Sequence, residues 1–390
     1  MKICFVVSVY PRKQDDLEVP WLRKTVGYLC DAGYEVTVYA PSFRGIRSHE
    51  IDGCKVKRFR YFLAPWETLT HDEGAPNKIH KFHYKVITCF YILFGILGLI
   101  RLHRKEKFDV LHVHWPFPHG LFGVAASWFH KTKIVLSFYA ADLLLVKRYP
   151  FVKRFLVYFI RHADQVIGIS TFTTGLVREM HDRPVHIIPY GATVAPRNAN
   201  TAITRPYHIL SVGRVIERKG FEYLIKAMPD IGKQWPDAHL TIAGGGPLRD
   251  SLVELSKSLG VQEKVALPGK VPQEALEKYF EECAVFVLPS IVDSKGDTEG
   301  LGVVLIEAMT YFKPVIGTDI GGIVDIIIHN ETGILVPQRD PGAIEKAVNR
   351  ILSEPALVKK LTEKGYEHVQ KNFSWPSVID RFKHVYDSLF

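Results

Sequence analysis

Residues 289–322 read PSIVDSKGDTEGLGVVLIEAMTYFKPVIGTDIGG. An apolar strand over Val285–Pro289 leads into this stretch, a helix is predicted over Val303–Thr310, and a further strand over Pro314–Thr318. Strand, helix and strand in so short a span make a βαβ unit and a parallel sheet. The turn Glu299-Gly300-Leu301-Gly302 opens the helix at Val303, where unpaired backbone N–H groups and the positive end of the dipole favour a phosphate. The two glycines let the backbone approach an anion closely. Glu299 then aims a carboxylate at hydroxyl groups beside that phosphate. Glu307, two turns down the helix on nearly the same face, is placed to reach a ribose. Two glutamates at this spacing also describe an ordinary solvated helix face; the surrounding glycines and prolines weigh against that.

The same rhythm extends in both directions. In the first half the strands are Lys2–Val9, Glu35–Ala40, Val56–Phe59, Val110–His114, Lys133–Ser137, Gln165–Ile169 and His186–Pro189, with a helix over Trp21–Ala32 that Gly33 ends. Tyr190–Pro206 (YGATVAPRNANTAITRP) is small, polar and proline-bearing, as a linker is. After it come strand Tyr207–Val212, helix Phe221–Gln234, strand His239–Ala243, helix Pro247–Leu259, strand Lys264–Leu267, helix Gln273–Glu282 and, past the opening stretch, helix Pro341–Leu352. The expected organisation is an N-terminal Rossmann-like domain (1–190), a linker (191–206), a second Rossmann-like domain (207–373) and a C-terminal helix (374–390) that stays with the second domain or crosses back to the first. Ligands of such open α/β folds bind at the carboxyl ends of the strands, which predicts a crevice between the two halves.

A second signal lies at the end of the first strand after the linker, in Ser211-Val212-Gly213-Arg214 and then Lys219-Gly220. A diphosphate leaving group needs cations, because negative charge grows on it as its bond breaks. Arg offers a fork for two oxygens and Lys a point charge. Against this stands the plainer reading of surface charges in a loop that also holds Glu217 and Arg218.

Charge is distributed unevenly. The chain carries 50 Lys+Arg and 41 Asp+Glu, a net charge of +9. Residues 1–190 hold 27 basic and 16 acidic residues against 23 and 25 in residues 191–390, so the first half meets something anionic or presents a solvated basic face. No helix-turn-helix, zinc-finger or RNP signature points to nucleic acid. The basic residues Lys78, Lys81, Lys85, Arg101, Arg104, Lys105 and Lys107 bracket the longest apolar run, Val86–Ile100 (VITCFYILFGILGLI), which suits an anionic membrane surface or a phosphorylated acceptor. Its 15 residues fall short of the roughly 20 that span a bilayer, which predicts a buried core helix, with a helix dipping into a membrane surface as the alternative. Five scattered cysteines without CxxC spacing argue against a disulfide framework or a zinc site. The opening residues read as a strand without a signal-peptide pattern, so a cytoplasmic protein is expected, peripheral on the inner face of the membrane if the basic half binds lipid.

Taken together, the paired-glutamate stretch, Gly213-Arg214 with Lys219-Gly220, Ala243–Leu248 (AGGGPL), Val265–Val271 (VALPGKV) and Val287–Ser290 (VLPS) resemble glycosyltransferase family 4, whose members have the GT-B architecture of two Rossmann-like domains. The resemblance covers essentially the whole chain and is strongest over Ile209–Pro337. It implies a retaining hexosyltransferase that takes a sugar from a nucleotide-diphosphate donor and passes it to a hydroxyl acceptor, lipid-linked or anionic, in cell-envelope polysaccharide or glycolipid synthesis. It implies that Arg214 and Lys219 hold the pyrophosphate and that Glu299 binds the donor sugar, assisted by the amides of Gly300, Leu301, Gly302 and Val303. By the same resemblance Glu307 binds the ribose, and Gly213 and the loop holding Gly269 and Val271 complete the donor site. The nucleotide sugar is then a substrate, and neither a metal nor another cofactor is implied.

The first half departs from the family's pattern. Val9–Pro20 (VYPRKQDDLEVP) has no glycine where members have a Gly-Gly loop, and Tyr139 stands where members often carry a histidine. A tyrosine hydroxyl hydrogen-bonds a sugar but does not become a cation. Asp142 is the acceptor-side carboxylate or a helix N-cap. Of His112 and His114, which share one side of a strand, His114 is the candidate for the site and His112 for the core. A non-hydrolysing nucleotide-sugar epimerase of the same architecture is an alternative, as is a non-catalytic partner subunit; the latter would be expected to lose one of Arg214, Lys219, Glu299 and Glu307. A dinucleotide oxidoreductase is disfavoured because no GxGxxG follows the first strand.

Overall fold

The first strand, β1 (Lys2–Val6), is buried on both faces from Ile3 onward, as its unbroken apolar run requires of a strand inside a parallel sheet. The computed structural model describes residues 1–16, 18–71, 78–194 and 205–390, and the chain forms two units with a core each. Unit 1 comprises Met1–Ile169, Thr173–Ile188 and Ile379–Phe390; unit 2 comprises Ser170–Phe172 and Pro189–Val378. Of the expected linker, 195–204 lie outside the described residues, and Pro189–Val194 belong with unit 2.

Around β1, unit 1 adds β2 (Glu35–Pro41), β3 (His49–Ile51), β4 (Cys54–Phe59), β5 (Val110–His114), β6 (Lys133–Phe138), β7 (Gln165–Gly168) and β8 (His186–Ile187), in the order β3-β4-β2-β1-β5-β6-β7-β8. All pair in parallel except β3, which folds back on β4 as a hairpin. The order reverses between β1 and β5, so the loops leaving these two strands flank a topological switch point. Unit 2 holds β9 (His208–Val212), β10 (His239–Ala243), β11 (Val265–Gly269), β12 (Val285–Leu288), β13 (Val315–Thr318) and β14 (Ile334–Val336), all parallel, in the order β11-β10-β9-β12-β13-β14. Its switch point lies between β9 and β12. Those are the strands that deliver Gly213-Arg214 and the stretch beginning at Pro289.

Several elements escape the sequence pattern, among them the helices Pro116–Ser127, Ala141–Arg148, Val152–His162 and Thr171–Met180. β3 and β14 are each three residues long, too short for alternation to register. The helix Pro355–Phe373 buries only the stripe Leu361, Gly365, Val369 and Phe373, in which a glycine takes one of the apolar positions. The terminal helix Trp375–Asp387 starts in unit 2, where Trp375 Nε1 donates to the Ala192 carbonyl at 2.8 Å. Its later residues belong to unit 1, with Tyr386 Oη 2.7 Å from His112 Nδ1. All five cysteines are free thiols.

The run Val86–Ile100 requires a correction. It lies within a helix of 25 residues, Phe82–Glu106, that is not buried all round. Ile87, Tyr91, Gly95, Leu99 and His103, spaced by four, face the core, whereas Phe82, Phe90, Leu93 and Leu97 are exposed. The reason is geometric: a helix laid on one side of a sheet buries one stripe, and this sequence is apolar on both.

Candidate functional site

Gly213 leaves β9 and the chain passes through Arg214 to a short 3-10 turn, Glu217–Lys219, before the helix Phe221–Gln234. Lys219 is buried, and its Nζ sits 2.5 Å from Oε2 of Glu299, itself only 8% exposed. Burial alone would push the Glu299 carboxyl up, but the charges of Lys219 and Arg218 outweigh it and hold the group below the usual carboxylate range. Glu299 is therefore ionised and paired. Arg214 is exposed and, among the described residues, forms no ion pair, which leaves its guanidinium available to an anion.

Backbone contact holds these loops together. Gly244, at the end of β10, has φ +144°, and a Cβ there would fall 1.9 Å from the Gly213 carbonyl oxygen. Val215 N donates to Gly245 O at 3.0 Å and Leu248 N to Val215 O at 3.2 Å, so the AGGGPL stretch braces the Arg214 loop. On the other side Gly321, with φ +55°, lies where a Cβ would fall 2.1 Å from the Glu299 carbonyl oxygen, and Gly322 N donates to that oxygen at 2.9 Å. A side chain at either glycine would separate the strands' ends from the loop each supports. Gly269, at the end of β11, accepts from Gly244 N at 2.8 Å and has φ +80°; Val271 follows in the same loop.

Gly302, at φ 94°, caps the helix Val303–Thr310. Glu299 thus precedes the helix, and the argument that places it on one helical face with Glu307 fails, because the left-handed turn at Gly302 breaks the spacing. Gly300, Leu301 and Gly302 form the mouth of the helix, and the amides that open it have no intrahelical acceptor. Glu307 is buried within the helix, and the Thr193 hydroxyl donates to its carboxylate.

The sequence reading treated Arg218 as a bystander. In the structure its Nη1 donates to the Thr298 carbonyl at 3.1 Å and lies 4.0 Å from Glu299 Oε2, while its Nε is 3.8 Å from Asp297. It is a second cation on Glu299. Nothing in the spacing singles it out, because its partners Asp297, Thr298 and Glu299 lie some 80 residues away in sequence.

In unit 1 the ends of β5 and β6 gather a cluster of rings. His114 Nδ1 is 2.5 Å from Tyr139 Oη, and the two rings stack at 5.8 Å. Trp21 and Trp115 flank the Tyr139 ring at 5.0 and 4.9 Å, and Phe5 lies 4.6 Å from His114. The Tyr139 hydroxyl is thus engaged by a histidine from the neighbouring strand. Burial, with His112 and His119 nearby, keeps His114 neutral, and burial drives His112 down to about 3. His112 is a core residue bonded to both Ser137 Oγ and Tyr386 Oη at 2.7 Å. Asp142 lies in the first turn of the helix Ala141–Arg148, two residues past the cap position, Ala140. Its Oδ1 accepts from Tyr139 N at 2.9 Å, its Oδ2 is buried with no partner among the described residues, and burial raises it to about 7.

The loop after β1 holds its shape without glycine. The buried Arg58 guanidinium donates to the carbonyls of Tyr10, Pro11 and Pro41, and Arg12 Nε pairs with Asp16 at 2.7 Å. Val19 then takes a left-handed backbone, φ 45°, to cap the helix Pro20–Asp31, a conformation that strains a β-branched residue.

Comparison with known proteins now adds to this geometry. Residues 196–368 match the family described as glycosyl transferases group 1, and residues 22–195 match glycosyltransferase family 4. An uncharacterised glycosyltransferase of Methanocaldococcus jannaschii is 36% identical over 178 residues, 46% of this chain and 44% of its own length. A second from the same organism is 25% identical over 90% of this chain and 97% of its own. A GDP-mannose-dependent alpha-(1-6)-phosphatidylinositol monomannoside mannosyltransferase of Mycolicibacterium smegmatis is 32% identical over 43% of this chain and 44% of its own. The chain thus spans less than half the length of the first and third of these relatives and nearly all of the second. Among solved structures, sucrose-phosphate synthase from Thermosynechococcus elongatus superposes with a TM-score of 0.80 at 22% identity, covering 100% of this chain and 99% of its own. Anabaena HepE in complex with UDP gives 0.75 at 14%, covering all of both chains. At such identities the likeness speaks for the fold, which is GT-B.

Proposed function

Since the chain belongs to glycosyltransferase family 4, we propose that it moves a hexose from a nucleotide-diphosphate sugar to a hydroxyl acceptor with retention of anomeric configuration. The observation that carries this reading is the buried Lys219–Glu299 pair, 2.5 Å apart, just ahead of the Val303–Thr310 helix, with no ion pair on Arg214 among the described residues. As the bond between the sugar and the diphosphate breaks, charge grows on the phosphate oxygens; Arg214, Lys219 and the helix-opening amides stabilise it. Glu299, kept ionised by its two cations, accepts hydrogen bonds from sugar hydroxyls and fixes the reacting carbon. The departing phosphate takes the acceptor's proton on the same face. Glu307 holds the ribose, and the loop with Gly269 and Val271 flanks the base. No bound metal takes part in this scheme.

The named relatives suggest the range of partners: GDP-mannose and a phosphatidylinositol-linked acceptor in one, UDP in another. We further propose a cytoplasmic enzyme of cell-envelope polysaccharide or glycolipid synthesis, peripheral on the inner face of the membrane, with Tyr139, His114 and Asp142 on the acceptor side. The test is turnover of a panel of UDP-, GDP-, ADP- and TDP-sugars, with the product anomer read by NMR and EDTA included in a parallel series. A product of inverted configuration, activity abolished by EDTA, or release of an epimerised donor in place of transfer would each refute the corresponding part of the reading.

A further inference from the structure

The helix Phe82–Glu106 presents two apolar stripes, one built into the core and one largely exposed among the described residues. Inward, Tyr39 Oη donates to the Gly95 carbonyl at 2.9 Å, and the Phe122 ring lies against Gly95 so closely that a Cβ there would fall 2.4 Å from it. Outward, Phe82, Val86, Phe90, Leu93, Phe94 and Leu97 are exposed, Phe82 by 79% and Leu97 by 52%. Leu63 and Trp66 extend this stripe: Phe62 lies 5.4 Å from Phe90, and Trp66 lies 5.6 Å from His83.

A second exposed apolar row lies on a helix joined to this one through Pro116–Ser127. The helix Pro116–Ser127 packs against both Phe82–Glu106 and the helix Val152–His162. The outer face of Val152–His162, with Phe151 just before it, shows Phe151, Phe155 and Tyr158, all exposed. Charge on these segments is predominantly basic. Between Lys78 and Lys105 the sequence has six basic residues and no Asp or Glu; between Leu143 and Ala163 it has five and none.

We propose that this face of unit 1 is a docking surface for an anionic lipid bilayer, lying in the interface without crossing it. The inference deepens the reading above, on which its lipid-borne acceptor rests. Crossing is excluded by the inward stripe, which is built into the core of unit 1 and cannot be given up to lipid while the fold stands. The outward stripe, from Phe82 to Leu97, is about 22 Å long at 1.5 Å per residue, against a hydrocarbon layer of about 30 Å. Lys81 and Lys85 at one end and Arg101, Arg104 and Lys105 at the other place cations at both ends of the apolar patch, where long basic side chains reach headgroup phosphates. Trp66 and Tyr158 at its margins suit the zone between headgroups and acyl chains. A second copy of the chain would bring the same cations face to face, which the lack of any acidic residue from Lys78 to Lys105 disfavours.

The experiment is flotation of the purified chain with phosphatidylcholine vesicles and with vesicles that also contain phosphatidylglycerol, at low and high salt. It compares the wild type with Phe90→Ser/Leu93→Ser/Leu97→Ser and with Lys81→Gln/Lys85→Gln/Arg101→Gln. The expected result is binding to the anionic vesicles that salt weakens, and at least a tenfold loss of affinity in each variant with the melting temperature unchanged. Equal binding to both vesicle types, no binding, or full retention in the serine variant overturns the proposal. So does a dimer in lipid-free solution that the serine variant dissolves, which would assign the face to a second copy. Turnover of soluble nucleotide sugars, measured on the same samples, separates the two readings: a wild type that floats but turns over no donor sinks the transferase and leaves the surface, and an active enzyme indifferent to lipid does the reverse.

Discussion

Lys219 and Glu299 depend on each other, and the sign of each substitution follows from that. Replacing Lys219 with Met strands a buried carboxylate, a change that typically costs about 3–5 kcal/mol; Lys219→Met/Glu299→Gln should restore most of that stability while turnover stays low. Denaturant melts of the two variants check this, and a double variant no more stable than the single one would show that the pair is not the source. Arg214→Ala removes an exposed side chain, so stability should change by less than about 0.5 kcal/mol while turnover falls at least roughly 100-fold. Near-normal turnover in both Arg214→Ala and Glu299→Ala would retire the leaving-group role. Asp142 makes a pH prediction of opposite character. Its folded value, raised to about 7 by burial, exceeds the 3.8 of a free aspartate. The folded state therefore holds a proton that the unfolded state has lost between these values, and stability falls as pH rises through the window. Asp142→Asn should thus raise the melting temperature at pH 8 and leave it nearly unchanged below pH 4. Equal effects at both would place the Asp142 carboxylate in a paired site. His112 and His119, held at about 3 and about 4 by burial, act the other way: their contribution is present above about 6.5 and lost as the medium is acidified.

At the scale of elements, the loops of unit 2 are held by glycines with no room for a β-carbon. Gly244→Ala would put a methyl 1.9 Å from the Gly213 carbonyl, which is backbone and cannot swing aside. The Arg214 loop must move, so donor binding should weaken at least tenfold, while Gly260→Ala, at a helix end with open space around it, serves as the control for left-handed strain alone. Equal losses in the two would mean that strain, and not displacement of the loop, is responsible. These positions show what was legible in the sequence. The alternation of strands and helices, the glycine turn at Gly300–Gly302 that opens a helix and the cations Arg214 and Lys219 after β9 are local patterns, and local patterns are written in adjacent residues. The clamp of Gly321 on Glu299 and the second cation at Arg218 arise from loops brought together across the sheet, which no spacing records. The helix Phe82–Glu106 misled for a different reason: composition reports how apolar a helix is, but not how many of its faces have a neighbour. The Tyr139 position shows the limit of substitution by likeness, since its hydroxyl is bound to His114, a partner from another strand.

Across the whole molecule, the proposals give the two units different ligands. Unit 2 carries the proposed diphosphate site and unit 1 the basic, apolar face, and each has a core of its own. A ligand stabilises only the folded form of the part that holds it, by RT ln(1 + [L]/Kd), which is about 2.7 kcal/mol at a hundredfold excess over Kd. For a unit of 150–250 residues each kcal/mol moves the midpoint by roughly 2–4 °C, so a matching nucleoside diphosphate should raise one melting transition by roughly 5–10 °C. Hydrogen exchange assigns that transition: protection should increase in peptides of unit 2, around Gly213–Lys219 and Glu299–Glu307, and remain as it was on β1, β5 and β6. Arg214→Ala should remove most of the shift without lowering the ligand-free midpoint, because its side chain supports no other contact among the described residues. Phosphatidylglycerol vesicles should act on the other unit, slowing exchange along Phe82–Glu106. If the nucleotide slows exchange in β1 and β5 as strongly as in unit 2, the donor site is not confined to the C-terminal sheet. The assignment of Arg214, Lys219 and Glu299 as the whole of the leaving-group machinery would then be wrong.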